Sequence, residues 1–311
     1  MANNNTAGRS MEGRAVIVTG AGRGIGRAIA IAMAAEGALV VANDIGGQDG
    51  ASTTASPVTD VVGEITGSGG RAVACIDSVA SWEGAQRMVE LAMTNFGRVD
   101  AVVNNAGNLQ DKIFHQMSPE EFDAVVKVHL YGSFYLSRAA AAVMRKQGSG
   151  AFVHMTSTSG LIGNLGQANY AAAKMGIAGL SRSIAIDMAR FGIRSNCISP
   201  AAFSRMTEGL PAASPEEQAA FEKKLREKVR PEQVAPLAVF LASDAAADIT
   251  GQIIGARGNE MYLYSQPRPI RTLHRADGWT PAALAEQMLP AWRTSLTPLE
   301  RIRDVFSWDP I

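Results

Sequence analysis

The stretch from Thr156 to Lys174 contains a hydroxyl, a phenol and an ammonium at a spacing that could support proton transfer. Tyr170 and Lys174 lie four residues apart in a run rich in helix formers, so the sequence predicts that they share one helix face. Ser157 follows the apolar run AFVHM, which is typical of a buried strand. A pocket formed by these three side chains could take a proton from an alcohol or return one to a carbonyl.

A tyrosine and a lysine at this spacing also occur on ordinary helix surfaces, so the pair needs support from the elements around it. Tyr170 is the only one of the five tyrosines with a lysine one helical turn later. A glycine-rich segment connects the predicted strand to the predicted helix, which would return the chain to the same end of the fold. The hydroxyl can therefore come from the strand end and the phenol from the helix.

A second group of candidate residues lies near the N-terminus. The run RAVIVT (14–19) is short, apolar and β-branched, and it leads into GAGRGIG (20–26) and then a helix-forming run that stops at Gly37. A strand that enters a glycine-rich turn at a helix start directs backbone N–H groups and the positive helix end to one point, which suits a pyrophosphate. The spacing is TGxxxGxG and differs from GxGxxG.

Asp44 ends the next predicted strand, ALVVAND, eighteen residues after Gly26. A carboxylate there could accept both ribose hydroxyls of NAD, whereas a 2′-phosphate would be repelled by about 4 kcal/mol at an effective dielectric constant near 20. This favours NAD over NADP. Arg23 in the glycine loop is the counter-argument, because a guanidinium could bind a phosphate. A turn-forming role at a strand end is the alternative for Asp44.

The alternation of predicted strands and helices indicates one α/β domain over residues 14–258, with a doubly wound, mostly parallel, seven-stranded Rossmann-like sheet. A flexible N-terminus, 1–13, precedes it. A loop and a charged helix are predicted over 204–229. The extension 259–311 contains short helix candidates at Thr280 and Thr297, and its aromatic residues predict that it packs on the body or on a neighbouring subunit.

The composition narrows the classes of partner. Lys+Arg and Asp+Glu balance at 29 each, so no global field indicates nucleic acid or an anionic membrane. The two cysteines lie in apolar runs and suit a reduced, cytoplasmic protein, and four histidines without a Cys/His cluster do not suggest a metal site. No export signal and no bilayer-spanning run is evident. We expect a small-molecule partner.

These motifs, in this order, closely resemble the short-chain dehydrogenase/reductase family over about residues 13–258. The matching features are TGAGRGIG, Asp44, Asp77, NNAG (104–107), Ser157, Tyr170, Lys174 and Pro200. The segments NDIGG, KVHLYGSF, GNLGQANYAAAK and SRMT more narrowly resemble the (3R)-hydroxyacyl-CoA dehydrogenase region of peroxisomal multifunctional enzyme type 2 and its bacterial relatives. The narrower resemblance implies NAD, a 3-hydroxyacyl thioester and sometimes steroid activity.

The resemblance implies a role for each matching residue. Tyr170 would be the acid/base, Ser157 would hold the substrate oxygen, and Lys174 would also bind the nicotinamide ribose. Positive charge from Lys174 and from the cofactor would lower the pKa of Tyr170 from about 10 by roughly three units, to near neutrality. The implied cofactor contacts are Gly20, Arg23, Gly24, Ile25, Gly26, Asp44, Asp77, Ser78, Asn105, Ala106, Gly107, Tyr170, Lys174 and Pro200.

Two positions depart from the general family pattern. His129 stands where the family has a helix asparagine that supports the proton relay, so we include it among the catalytic candidates. Pro200-Ala201 replaces the family's Pro-Gly, and Ser204-Arg205 replaces a nearby threonine, which could change how the nicotinamide carboxamide is held.

The sequence therefore predicts an NAD-dependent oxidoreductase that interconverts a secondary alcohol and a ketone, with a 3-hydroxyacyl-CoA as the leading substrate. A hydroxysteroid dehydrogenase or a general carbonyl reductase is the alternative among enzymes. A non-catalytic dinucleotide sensor is the alternative from another class, but it predicts a broken Ser–Tyr–Lys set, and this set is complete. The family resemblance also implies a homo-oligomer, usually a tetramer.

Overall fold

A computed structural model describes residues 9–46, 56–202, 223 and 227–311. Its centre is one eight-stranded sheet with the order β3-β2-β1-β4-β5-β6-β7-β8. Strands β1 to β7 are parallel, and β8 is antiparallel to β7. The strands are β1 (Ala15–Thr19), β2 (Leu39–Asn43), β3 (Arg71–Cys75), β4 (Ala101–Asn104), β5 (Gly150–Met155), β6 (Ile193–Ala201), β7 (Ile253–Arg257) and β8 (Glu260–Leu263).

Helices cover both faces of the sheet, as expected for parallel strands that are buried on both sides. The helices of the body are α1 (Gly24–Ala35), α2 (Pro57–Gly67), α3 (Trp82–Phe96), α4 (Pro119–Val126), α5 (Gly132–Gln147), α6 (Thr158–Leu161), α7 (Ala168–Met188) and α8 (Ala235–Ala242). Residues of α1, α2 and α8 form one core cluster, and residues of α3 and α5 form a second across the sheet. The predicted doubly wound α/β class is confirmed.

The predicted strand number was one too low, because the extension adds β8. Gly258 has a φ of +60° and starts a two-residue turn between the paired residues Arg257 and Glu260. A Gly-Asn turn followed by alternating apolar residues is a hairpin signal, and it was present in ARGNEMYLY (256–264). The seven-stranded prediction ended the sheet at β7 and overlooked this signal.

The helical stretch that follows Ser118 is divided into three parts. Ser118 and Glu121 form a capping box at the start of α4. A π-helical turn, Lys127–Tyr131, then joins α4 to α5. Such turns are rare and often occur at functional sites, and this one contains His129.

The segments outside the body differ in how they are placed. Met11, in the segment expected to be flexible, is fully buried, and its N–H donates to the carbonyl of Glu36 at 3.0 Å. Most of the predicted charged helix, with Ser204 and Arg205, lies outside the described residues. No helix in the described part of the chain has both the length and the apolar character of a membrane span.

The extension leaves the body after β8 and returns to it. It contains the short helices α9 (Pro281–Ala283), α10 (Leu289–Trp292) and α11 (Ile302–Val305). The side chain of Thr280 caps α9 as predicted, but no helix begins at Thr297, because Arg301 and Asp304 cap α11 instead. Near its end, Trp308 donates to Glu260 at 2.7 Å.

Candidate active site

Ser157 lies directly after β5 and begins α6. Its Oγ accepts a hydrogen bond from the N–H of Ser159 at 3.1 Å, which satisfies an otherwise free donor of the first helical turn. Its side chain also forms a hydrogen bond with Tyr170 that favours the phenolate. The predicted partnership between the strand-end hydroxyl and the helix phenol is therefore present in the structure.

Tyr170 lies in the first turn of α7, and its backbone is held from the preceding residue. The Oδ1 of Asn169 accepts the N–H of Tyr170 at 2.7 Å. The Nδ2 of the same side chain donates to the carbonyls of Gln110 at 2.8 Å and Glu121 at 3.0 Å. Asn169 is completely buried, so it fixes the start of α7 against two neighbouring segments. Asn169 was not predicted from the sequence, because its partners are distant along the chain.

Lys174 follows one turn later and points towards the end of β5. It is only 4% exposed, its Nζ donates to the carbonyl of Met155 at 2.6 Å, and this nitrogen lies 5.4 Å from the ring centre of Tyr170. The hydroxyl of Thr156 donates to the carbonyl of Lys174 at 2.7 Å. The end of β5 and helix α7 are thus joined by two hydrogen bonds, one donated from each side.

Burial shifts the pKa values of Tyr170 and Lys174 in opposite directions. Burial raises the pKa of Tyr170 to about 12, although the bond to Ser157 opposes the shift, and the charge of Asp111 adds to it. Burial lowers the pKa of Lys174 to about 7. The expected pKa of Tyr170 near neutrality includes the positive charge of a bound nicotinamide, so it stays a prediction. In the chain alone, the desolvation of both groups acts in the opposite direction.

His129 lies beside this pair in the π-helical turn and is buried. Its ring meets that of Tyr170 edge to face, with 5.1 Å between the centres. Its Nε2 is 2.8 Å from the carbonyl oxygen and 3.1 Å from the nitrogen of Asn108. The shorter contact favours a protonated Nε2 that donates to the carbonyl, since a bare nitrogen would repel that oxygen.

Burial, followed by the charge of Lys174, lowers the pKa of His129 well below its usual value, so the ring is neutral. A Cβ on Gly107 would lie 2.2 Å from Cε1 of this ring. Any side chain at position 107 would therefore overlap the ring of His129.

The predicted pyrophosphate loop has the geometry of a cradle made from backbone. Gly20 has a φ of +64°, and a Cβ on Gly26 would lie 2.1 Å from the carbonyl oxygen of Gly20. Helix α1 begins after Arg23 without a side-chain cap and without an acidic residue in its first turn. Within the described part of the chain, its first N–H groups thus lack a competing side-chain partner at the place where an anion would bind.

The second wall of the cradle is the NNAG turn after β4. The hydroxyl of Thr19 accepts the N–H groups of Asn105 at 2.9 Å and Ala106 at 3.0 Å. The Nδ2 of Asn105 donates to the carbonyl of Thr19 at 2.9 Å. Thr19 was not among the predicted site residues, although it opens the TGxxxGxG motif. It sets the distance between the two loops that would enclose a dinucleotide.

Asp44 lies at the end of β2, where the sequence predicted a ribose-binding carboxylate. Its Oδ2 accepts the N–H of Gly22 at 3.0 Å and its Oδ1 accepts the N–H of Gly46 at 2.9 Å. The turn-forming role considered as the alternative is therefore real, and the same bonds hold both oxygens beside the glycine loop. Arg23 is exposed and forms no ion pair with the residues that the structure describes.

Asp77 and Ser78 follow β3 at the same edge of the sheet. Asp77 accepts a hydrogen bond from Nε of Arg87 at 2.7 Å, and its carbonyl accepts one from Asn43 at 2.8 Å. Pro200 lies near the end of β6, paired with Ala256 of β7. The structure thus brings both predicted groups of site residues to the carboxyl end of the parallel strands, where doubly wound folds bind ligands.

His154 is a core histidine of β5. It is fully buried, its Nδ1 lies 3.2 Å from the Nδ2 of Asn104, and burial lowers its pKa to about 3. Among the described residues, no group of three or more His, Cys, Asp or Glu side chains could hold a metal ion.

Comparison with known proteins gives a consistent result. A family model described as Enoyl-(Acyl carrier protein) reductase matches residues 20–258. The chain is 46% identical to Peroxisomal multifunctional enzyme type 2 of Mus musculus over 241 residues, which are 77% of this chain and 31% of that protein. It therefore spans about a third of the mouse protein.

Two further matches cover nearly whole proteins. The chain is 38% identical over 285 residues to Hydroxyacyl-CoA dehydrogenase ChsB1 of Mycobacterium tuberculosis, covering 88% of this chain and 87% of that one. The crystal structure of a short chain dehydrogenase from Mycobacterium avium has a TM-score of 0.82 and 41% identity, covering 93% of this chain and 97% of that one.

Proposed function

The chain belongs to the short-chain dehydrogenase/reductase family, an oxidoreductase family that binds nicotinamide dinucleotides, and from that premise we propose that it oxidises a 3-hydroxyacyl-CoA with NAD. The observation that carries the proposal is the meeting of Ser157, Tyr170 and Lys174 beside the glycine cradle. This arrangement places a hydroxyl, a phenol and an ammonium where a secondary alcohol and a dinucleotide would meet.

The residues of the chain divide the chemistry of the proposed reaction. A bound oxidised nicotinamide would supply the hydride acceptor and a positive charge. Ser157 would donate a hydrogen bond to the substrate oxygen, and Tyr170 would take the hydroxyl proton. The hydrogen bond with Ser157 already favours the phenolate. Hydrogen bonds from Lys174 to a ribose would favour the protonated amine, whose charge would lower the pKa of Tyr170 further.

We assign His129 a positioning role in this reaction. Its contact with the Tyr170 ring is edge to face, and its hydrogen bond goes to the backbone of Asn108. Because the ring is neutral and fully packed, it would hold the phenol and the NNAG segment in register and would not exchange a proton with substrate.

The apolar rim of the site supports an acyl substrate. The rim consists of two loops, 110–117 and 161–167, joined by a hydrogen bond from the N–H of Lys112 to the carbonyl of Gly166 at 2.8 Å. Phe114 and Leu165 lie on these loops and are each 80% exposed. Large apolar side chains at a site entrance suit an alkyl chain. Similarity to a protein named as a hydroxyacyl-CoA dehydrogenase supports the same class.

We propose NAD as the cofactor because both carboxylate oxygens of Asp44 are held beside the glycine loop. A 2′-phosphate in that place would meet a like charge. Hydroxysteroids remain the second substrate class, since the same apolar rim would accept a sterol skeleton. We further propose a cytoplasmic homo-oligomer, usually a tetramer in this family, with one catalytic domain over 14–258 and an extension over 259–311 that packs on the body or a neighbouring subunit.

The test is NADH production by the purified protein with (R)- and (S)-3-hydroxyacyl-CoAs, hydroxysteroids and simple secondary alcohols, each with NAD and with NADP. The proposal expects the highest kcat/KM for one enantiomer of a 3-hydroxyacyl-CoA with NAD. Turnover confined to steroids would contradict the substrate, and a preference for NADP would contradict the role of Asp44. Dinucleotide binding without turnover of any alcohol would favour a sensor.

A further inference from the structure

Gln167 connects the two loops at the rim of the candidate site. It occupies the N-cap position of α7, three residues before Tyr170, but its side chain does not cap the helix. Its Oε1 accepts hydrogen bonds from Ser159 Oγ at 2.9 Å and from Asn164 Nδ2 at 2.8 Å. Its Nε2 donates to Oδ2 of Asp111 at 2.8 Å. The buried amide therefore has partners in both loops and at the end of β5.

The same set of bonds reaches the catalytic hydroxyl. Ser159, whose side chain is held by Gln167, donates its N–H to Ser157 Oγ at 3.1 Å. We call Asp111, Gln167 and Ser159 the amide clamp. One end of the clamp fixes the residue that orients the serine, and the other end fixes a carboxylate.

The carboxylate of Asp111 acts on the phenol at the centre of the site. Four groups face Tyr170: Ser157 from the end of β5, Lys174 from α7, neutral His129 from the π-helical turn, and Asp111 from the rim. Asp111 lies in an exposed loop, so its position depends on its hydrogen bond to the clamp. A mobile carboxylate in water would be screened from the phenol.

We propose that Gln167 is a positioning residue, which holds Ser157 through Ser159 and keeps the negative charge of Asp111 at a fixed place beside Tyr170. The inference rests on the proposed function, because it assigns Gln167 to the reaction of that site. Gln167 acts only through other residues. Replacing Gln167 should therefore alter the geometry and charge at Tyr170 and change kcat more than KM.

Two variants test the two ends of the amide clamp, and a third is the control. Gln167→Ala releases both ends and should lower kcat at least about tenfold. Asp111→Asn retains an acceptor for Gln167 but removes the charge, so the rising limb of the kcat–pH profile for alcohol oxidation should move to lower pH by roughly half a unit. Gln147→Ala is the control, because it removes a glutamine that also forms two hydrogen bonds, to Val99 at the opposite end of the sheet.

A readout without substrate separates this inference from the proposed function. The phenolate absorbance of Tyr170, taken as the difference from Tyr170→Phe, is titrated with pH in the presence of NAD. Its midpoint should fall in Asp111→Asn and in Gln167→Ala, and should not move in Gln147→Ala. Unchanged midpoints, or a kcat of Gln167→Ala equal to that of Gln147→Ala, would overturn the positioning role. Failure of every alcohol substrate would overturn the proposed function alone.

Discussion

The cofactor half and the catalytic half of the candidate site are built from different parts of the polypeptide. The cofactor half consists largely of backbone, where glycines allow loops to approach within distances that a Cβ would prevent. The catalytic half consists of polar side chains: Ser157, Asn169 and Lys174 are buried and each forms a hydrogen bond, and Tyr170 is partly buried among them. The first half can thus be damaged by adding atoms, and the second by removing a single functional group.

The largest expected effect comes from removing one oxygen in the catalytic half. Tyr170→Phe should lower kcat by about 10²–10⁴-fold and leave NAD affinity nearly unchanged, because the ring packing remains. Steady-state kinetics and a fluorescence titration with NADH measure the two quantities. Tyr262→Phe is the control, because Tyr262 lies on β8 and its ring packs against Phe306 of the extension. Substantial residual turnover by Tyr170→Phe would remove this residue from the acid/base role.

The next largest effect comes from adding one carbon to the cofactor half. Gly26→Ala should weaken NADH binding by roughly a hundredfold and destabilise the fold by about 1–3 kcal/mol, because the new Cβ would overlap the carbonyl of Gly20. Calorimetric titration and thermal unfolding measure these effects. Gly63→Ala is the matched control, since a Cβ there meets open space on α2. Equal NADH affinity in the two variants would contradict the cradle.

Asp44 is the side chain of the cofactor half that we expect to determine the choice between NAD and NADP. Asp44→Asn should shift the ratio of kcat/KM for NADP over NAD upward by roughly tenfold, because a like charge is removed from the place of the 2′-phosphate. Asp187→Asn, near the C-terminal end of α7, removes an exposed charge and serves as the control. An unchanged ratio in Asp44→Asn would leave Arg23 as the more important residue for cofactor choice.

The smallest expected effect is a change of folding stability with pH, which comes from Lys174 in the catalytic half. The pKa of Lys174 is lowered in the folded chain to about 7, so between that pH and about 10 the unfolded chain binds more protons. Stability must then rise with pH across this window, on the order of 1 kcal/mol per unit from this group. Lys174→Met should lack this increment when chemical unfolding of both proteins is measured from pH 6 to 9. Parallel stability curves would contradict the buried amine.

The predictability of the site from sequence follows the same division. The strand–glycine–helix cradle and the shared helix face of Tyr170 and Lys174 were predicted, because both are set by residues close together in the chain. The supports Thr19, Asn169 and Gln167 were missed. Each of them acts on partners that only the fold brings near, and a single hydroxyl or amide in a sequence carries no sign of such partners.

Two features depended on more than local patterns. The pKa of Tyr170 was predicted from the charges of Lys174 and a bound nicotinamide, whereas in the chain alone the largest influence on it is desolvation by the surrounding core. The strand count stopped at β7 because the family resemblance ended at Gly258, although the hairpin signal continued beyond it. Local patterns predicted the elements well, but they could not predict how much water the assembled fold excludes.

The two ends of the extension meet at the turn between β7 and β8. The N–H of Asn259 donates to the main-chain oxygen of Ile311 at 2.8 Å, next to Gly258, so the extension begins and ends at one point. A noncovalent loop of this kind is held where its two ends meet, here also by the hydrogen bond from Trp308 to Glu260. Lengthening it costs little entropy, since the closure term grows only logarithmically. A protease cut between residues 264 and 280 should therefore leave both fragments attached until these contacts are broken.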